Sequence, residues 1–179
     1  MKNGETSSLR TIKMRTKTVK HSVARLAAVQ ALYQIELNNT LVSKVIEEFR
    51  CYRFGPEIID SIDWAIANYP LFENLVRGVI EKLEEIDNEI SPVLVDGWPL
   101  ERLEIVLRCI LRAGTFELME SLQVPAAVVI KEYVDLSYSF FSGSEPGLTN
   151  GVLDKIARVT RPGELETRNG KNKHPTKRI

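Results

Sequence analysis

Two long apolar stripes at helical spacing restrict the fold of this chain more than any other feature. Phe72, Leu75, Val76, Val79, Ile80, Leu83, Ile86 and Ile90 recur at steps of three and four until Ser91-Pro92 ends the pattern. After the turn-forming Asp96-Gly97-Trp98-Pro99, a second stripe takes in Leu100, Leu103, Leu107, Ile110, Leu111, Gly114 and Leu118, with Gly114 expected at a close helix contact. No stretch alternates apolar and polar residues as a half-buried strand does. The expected fold is all-α.

The remaining helices follow from the same spacing. Lys20 to Leu37 is apolar on nearly every side, as in a helix central to a bundle. Gln30 falls among Val23, Leu26, Ala27 and Leu37, where it needs buried partners. Thr40 is placed to cap a short helix carrying Leu41, Val42, Val45, Ile46 and Phe49, and a weaker helix is expected over about 57–67. Pro125 suits the first turn of a helix running to Phe140. "TNGVLDKIAR" (Thr149 to Arg158) contains Asn-Gly, a strong hairpin signal, yet Val152, Leu153, Ile156 and Ala157 form a helical face. A last helix capped by Thr149 or Asn150, after a turn at Ser142 to Gly147, is the expectation. That makes about seven helices, at 44% hydrophobic residues enough for one buried core.

Charge divides the chain. Residues 1–25 carry seven Lys/Arg against one Glu, and residues 161–179 carry six against two. From 24 of each sign, this leaves 11 basic and 21 acidic residues between, so a body of net −10 lies between ends of +6 and +4. The expected organisation is a flexible basic arm over 1–19, a helical domain over 20–162 and a flexible basic tail over 163–179. Basic ends suit nucleic acid and an acidic body suits a basic protein, for which Glu101 and Glu104, read as one helical turn apart, are the candidate contacts. Lys17, His21 and Arg25 share a strip at steps of four, with Lys20 beside it, and are the candidate phosphate contacts.

Other chemistry finds few parts. His21 and His174 lie at no ligand spacing from Cys51 or Cys109, and neither a nucleophile elbow nor a phosphate-cradling glycine loop occurs. No metal, cofactor or catalytic residue is expected. The carboxylates at Glu81, Glu84, Glu85, Asp87 and Glu89 read as a solvated helix face, and Trp64, Trp98, Phe140 and Phe141 as core aromatics that could also stack on bases. Two distant cysteines among helical residues read as buried thiols of a reducing compartment. With no apolar run of about 20 residues for a membrane span and no signal-peptide core, the expectation is a cytoplasmic protein.

"ARLAAVQALYQIEL" (Ala24 to Leu37), "LRAGTFEL" (Leu111 to Leu118) and the region from Val124 to Pro162 that contains "TNGVLDKIARVTRP" together resemble the bacterial NusB transcription antitermination family. The likeness runs in order from Ala24 to Pro162. It implies two packed helical bundles, no catalysis, and binding of the boxA segment of ribosomal RNA transcripts together with the small-subunit ribosomal protein NusE, within an antitermination complex on RNA polymerase. It adds Arg112, Phe140 and Asn150 as RNA candidates to Lys17, Lys20, His21 and Arg25. The chain departs from the family pattern in spreading its arginine run into "KTVKHSVAR", and in carrying Ser144 and Leu148 where an acidic and an aromatic residue are usual. The alternatives are a helical adaptor without RNA contact, and a stand-alone RNA-binding module like that of certain ribosomal RNA methyltransferases. A homodimer stays open at this stage.

Overall fold

The computed structural model describes residues 4–54, 68–94 and 99–165, and for α1 the side chains only from residue 19 onward. Seven α-helices and no strand occur among the described residues: α1 Gly4–Asn38, α2 Val42–Tyr52, α3 Tyr69–Glu81, α4 Leu83–Ile90, α5 Ile105–Glu120, α6 Ala126–Tyr138 and α7 Glu145–Thr160. Short 3-10 turns at Ser91–Val93 and Leu100–Arg102 join α4 to α5. The backbone of α1 is helical from Gly4, well before Lys20. The expected helix over 57–67 and the turn at Asp96 lie outside the described residues.

Helix α5 is the axle of the fold. It packs against α1, α3, α4, α6 and α7, and α1 in turn holds α2 and α3, so α1 and α5 tie two helical groups together. Leu107, Ile110, Leu111, Ala113, Phe116 and Leu118 of α5 are all buried, as are Ala24, Ala27, Ala28, Val29, Ala31 and Leu32 of α1. The alanines keep the α1 surface low, which lets neighbouring helices approach closely. Gly114 does the same on α5, where a Cβ would meet Leu153 Cδ1 at 2.9 Å and Tyr133 Cδ2 at 3.2 Å. Gly78 of α3 is tighter still, with a Cβ position only 2.0 Å from Phe116 Cζ.

Several local expectations are corrected. The stripe from Phe72 to Ile90 is two helices, because Lys82 leaves the helical region and closes α3 through its N–H to Gly78 O. The apolar phase continues across this break through Leu83, Ile86 and Ile90, so spacing alone carries no trace of it. The stripe from Leu100 likewise begins with a 3-10 turn and an extended Leu103, and α5 starts only at Ile105. Arg108 stabilises that entry by donating from Nη1 to the carbonyls of Leu100, Glu101 and Leu103 at 3.2, 2.9 and 3.1 Å.

Helix α2 is entered through Leu41 and not capped by Thr40. Helix α7 begins at Glu145, inside the expected turn, with Pro146 in its first turn. Asn150-Gly151 is therefore helical interior. Pro146, Thr149, Val152, Leu153, Ile156 and Ala157 bury one continuous face, and that burial outweighs the local hairpin preference. Cys109 is buried as expected, but Cys51 is exposed on α2. At the far end, Arg161 donates to the carbonyls of Leu118, Glu117 and Val124 at 2.6, 2.9 and 2.6 Å, tying the last turn of α5 to the segment that leads into α6.

Candidate nucleic-acid interface

The basic strip of α1 does not keep one face to solvent. Residues four apart advance about 40° around a helix, so the three positions from Lys17 to Arg25 rotate by about 80°. Lys20 is exposed, His21 is half-buried, and Arg25 is only 3% exposed. The side chain of Lys17 lies outside the described residues. The rotation turns Arg25 from the strip into the junction of α1, α5 and α6.

There Arg25 is fully engaged. Its Nε donates to Glu117 Oε2 at 2.9 Å, Nη2 to Glu117 Oε1 at 2.5 Å and Nη1 to Glu132 Oε2 at 2.9 Å. Tyr133 donates its hydroxyl to Glu117 Oε2 at 3.0 Å, and Ser22 donates to Glu132 at 2.6 Å. Burial opposes the guanidinium charge, but the hydrogen bonds and charge of Glu117 outweigh it and raise the Arg25 pKa. Burial, with Glu117 beside it, likewise holds the Tyr133 hydroxyl well above its ordinary value. Burial and three bonds to carboxylates weigh against the expectation that Arg25 contacts RNA phosphates. It is a structural cation.

Arg112 is also committed inside the protein. It makes a bidentate pair with Asp87 of α4, Nε to Oδ1 at 2.8 Å and Nη2 to Oδ2 at 2.7 Å, and Nη1 reaches Glu36 of α1 at 2.9 Å. Arg108 binds the other oxygen of Glu36 through Nε at 2.8 Å and through Nη2. Burial and the neighbouring Glu36 push the Cys109 thiol up to about 12. This cluster joins α1, α4 and α5.

The other candidates are on the surface. Phe140 follows the C-terminus of α6 and is 40% exposed. With Val29, Gln30, Tyr33 and Val106 it lines a groove of about 280 Å³ along α1. Asn150 is exposed on α7. Glu101 and Glu104 are exposed too, but the extended Leu103 lies between them, so they do not share a helix as the spacing implied. Tyr33 was hidden by a helix that reads as apolar all round, and the polar Gln30 beside it was the one sign of an open face. Phe141 is half-buried, and Trp64, Trp98 and His174 lie outside the described residues.

The carboxylates Glu81, Glu84 and Glu85 face solvent. No cluster of His, Cys, Asp and Glu able to hold a metal occurs among the described residues. No helix among them is long and apolar enough to cross a membrane.

Comparison with known proteins agrees with this architecture. The NusB family model matches residues 22–158. The transcription antitermination protein NusB of Sphingopyxis alaskensis is 45% identical over 148 residues, covering 83% of this chain and 99% of that protein. The NusB protein of Caulobacter vibrioides is 49% identical over 140 residues, covering 78% and 93%. Among solved structures, T. maritima NusB superposes with a TM-score of 0.66 at 28% identity, over 81% of this chain and 96% of that one. The antitermination factors NusB and NusE in complex with double-stranded RNA give a TM-score of 0.62 at 26% identity, over 82% and 98%. Matched along most of its helical body in both sequence and fold, this chain belongs to the NusB family.

Proposed function

We propose that this chain is a non-catalytic transcription antitermination factor. It binds a boxA-like segment of a ribosomal RNA transcript together with the ribosomal protein NusE, and joins the antitermination complex on RNA polymerase in the cytoplasm. The observation that carries this reading is the match over nearly the whole of a NusB that was solved with both NusE and RNA. The charge division supports it, since a basic ribosomal protein suits the acidic body and RNA phosphates suit the basic ends.

Within that reading, phosphate contact falls to Lys17, Lys20 and His21, because Arg25 and Arg112 are held in internal ion pairs. Phe140 and Asn150 supply surface groups for bases. The test is binding of a boxA-like RNA by the full chain, alone and with NusE, across a range of salt. Affinity falls with salt, and Lys17→Ala with Lys20→Ala flattens the logarithmic slope by about 1.4, at roughly 0.7 released counterions per single-strand contact. A slope unchanged in the double variant removes the arm from the RNA site.

A second reading, an adaptor that touches only the protein partner, is favoured by the same internal pairing of two expected RNA arginines. It requires that RNA bind only when NusE is present and that neither lysine affect the complex.

A further inference from the structure

The last turn of α2 differs in charge from the acidic body that carries it. From Phe49 to Phe54 the sequence "FRCYRF" sets three aromatics among two arginines and no carboxylate, whereas residues 26–160 carry a net −10. Two of the rings anchor the turn. Phe49 stacks on Phe72 of α3 at 5.3 Å between centroids, and Phe54 meets Tyr69 at 5.3 Å and Phe72 at 4.9 Å. Arg50, Tyr52 and Arg53 are left on the surface, with Tyr52 72% exposed. The Arg53 guanidinium lies 5.9 Å from the centroid of the Phe49 ring, so one of its faces is already backed by an aromatic. Of the acids on α2, Glu48 accepts from Gln34 Nε2 of α1 at 3.0 Å. Glu47 holds Arg50 through both oxygens at 2.9 and 2.6 Å and accepts from Cys51 Sγ at 3.4 Å. That pair is exposed, and exposed pairs contribute little, so a phosphate can draw Arg50 away. The patch also adjoins the start of the RNA face proposed above. Asn68 N–H donates to the Lys20 carbonyl at 3.1 Å, and the next residue, Tyr69, is the one against which Phe54 packs.

We propose that this turn is a second contact for single-stranded RNA, taking nucleotides that flank the boxA-like segment. The inference rests on the RNA binding proposed above and adds a surface on α2 to it. Arginines interleaved with an exposed aromatic engage both parts of a nucleotide, the phosphate through the guanidinium and the base through a stacking face, without a base-specific pocket. A basic protein suits the acidic faces and is disfavoured here.

The test compares two RNAs on the full chain, a boxA-like segment alone and the same segment lengthened by unstructured uridines at one end or the other. Extension at one end tightens binding by the wild type about tenfold. It also steepens the dependence of log affinity on log salt by about 1.4, for two phosphates at roughly 0.7 released counterions each, and Arg50→Ala with Arg53→Ala removes that increment. Tyr52→Ala loses most of the tenfold gain and Tyr52→Phe keeps it, while both melt with the wild type because the side chain is exposed. Glu47→Gln tightens the long RNA and leaves the short one as it was, since Arg50 is released and a like charge is gone.

Equal affinity for short and extended RNA overturns the second contact and leaves boxA binding intact. A gain from extension that survives in Tyr52→Ala and in the double arginine variant places the flanking nucleotides elsewhere and refutes this patch. If the variants instead weaken NusE binding in the absence of RNA, the turn belongs to the protein partner and the proposal fails. A wild-type chain that binds neither RNA refutes the function and the patch together.

Discussion

Replacing Arg25 by Leu separates the structural role of this residue from the role its position in the basic strip implied. The substitution removes three charge-assisted hydrogen bonds, at 2.9, 2.5 and 2.9 Å, and leaves Glu117 with the Tyr133 hydroxyl as its remaining side-chain donor. The Glu117 side chain is 1% exposed, so water does not replace the lost partner. Breaking a buried pair by removing one member costs about 3–5 kcal/mol. At roughly 2–4 °C per kcal/mol for a chain of this size, the melting temperature falls by about 6 to 20 °C. Urea unfolding followed by circular dichroism measures the loss directly. Converting Glu117 to Leu in the same background recovers part of it, since the uncompensated charge is gone, but the Tyr133 hydroxyl is left without its acceptor at a cost of about 1–3 kcal/mol. RNA binding of folded Arg25→Leu, measured at a temperature below its transition, keeps the wild-type salt slope because no phosphate contact has been removed. A loss below about 1 kcal/mol together with a slope flattened by about 0.7 refutes the assignment and returns Arg25 to the RNA surface.

Gly78→Ala drives a methyl group into the Phe116 ring and destabilises the protein by about 1–3 kcal/mol in urea unfolding, against a helix-propensity gain of about 1 kcal/mol. Unchanged or increased stability refutes the tight crossing of α3 and α5. In a thiol titration at pH 8 the folded chain yields one reactive cysteine, Cys51, and a second only after denaturation, because Cys109 is buried with its thiol pushed up to about 12. Two fast equivalents from the folded chain contradict that burial. Reversing Glu101 and Glu104 to Lys weakens NusE binding in calorimetry without altering the melting temperature by more than a degree or two, since both side chains are exposed. Undiminished affinity moves the partner to another acidic face.

The helices were legible in the sequence where burial is one-sided, as at Phe72 to Ile90, because packing against a core imposes a period near 3.6, whereas α5 is buried on nearly every side from Leu107 to Leu118 and showed a stripe only through its largest apolar residues. Their breaks were not. Lys82 interrupts one stripe and Leu103 precedes another without shifting the apolar phase, and the residues that hold those breaks act from far along the chain or through the backbone. Arg108 satisfies three carbonyls five to eight residues before it, a contact that no periodicity displays. The site was legible only as charge. Counting identifies a basic strip, but the drift of about 40° at each step of four decides which member faces water, and that depends on where α5 and α6 lie.

The same geometry explains why the two arginines expected at the RNA surface, Arg25 and Arg112, are held in ion pairs between helices. Arg25 and Glu36 on α1 meet opposite ends of α5, Arg25 reaching Glu117 and Glu36 reaching Arg108 and Arg112. The sign of the charge reverses between the two clamps. In the observed antiparallel arrangement each charge finds its opposite, whereas a parallel pairing of α1 and α5 brings Arg25 toward Arg108 and Glu36 toward Glu117. Like charges placed together in a dry interface forbid the reversal at a cost that apolar packing alone does not impose. The arginine that charge counting assigned to RNA is thus one of five charged residues that select the orientation of the two central helices.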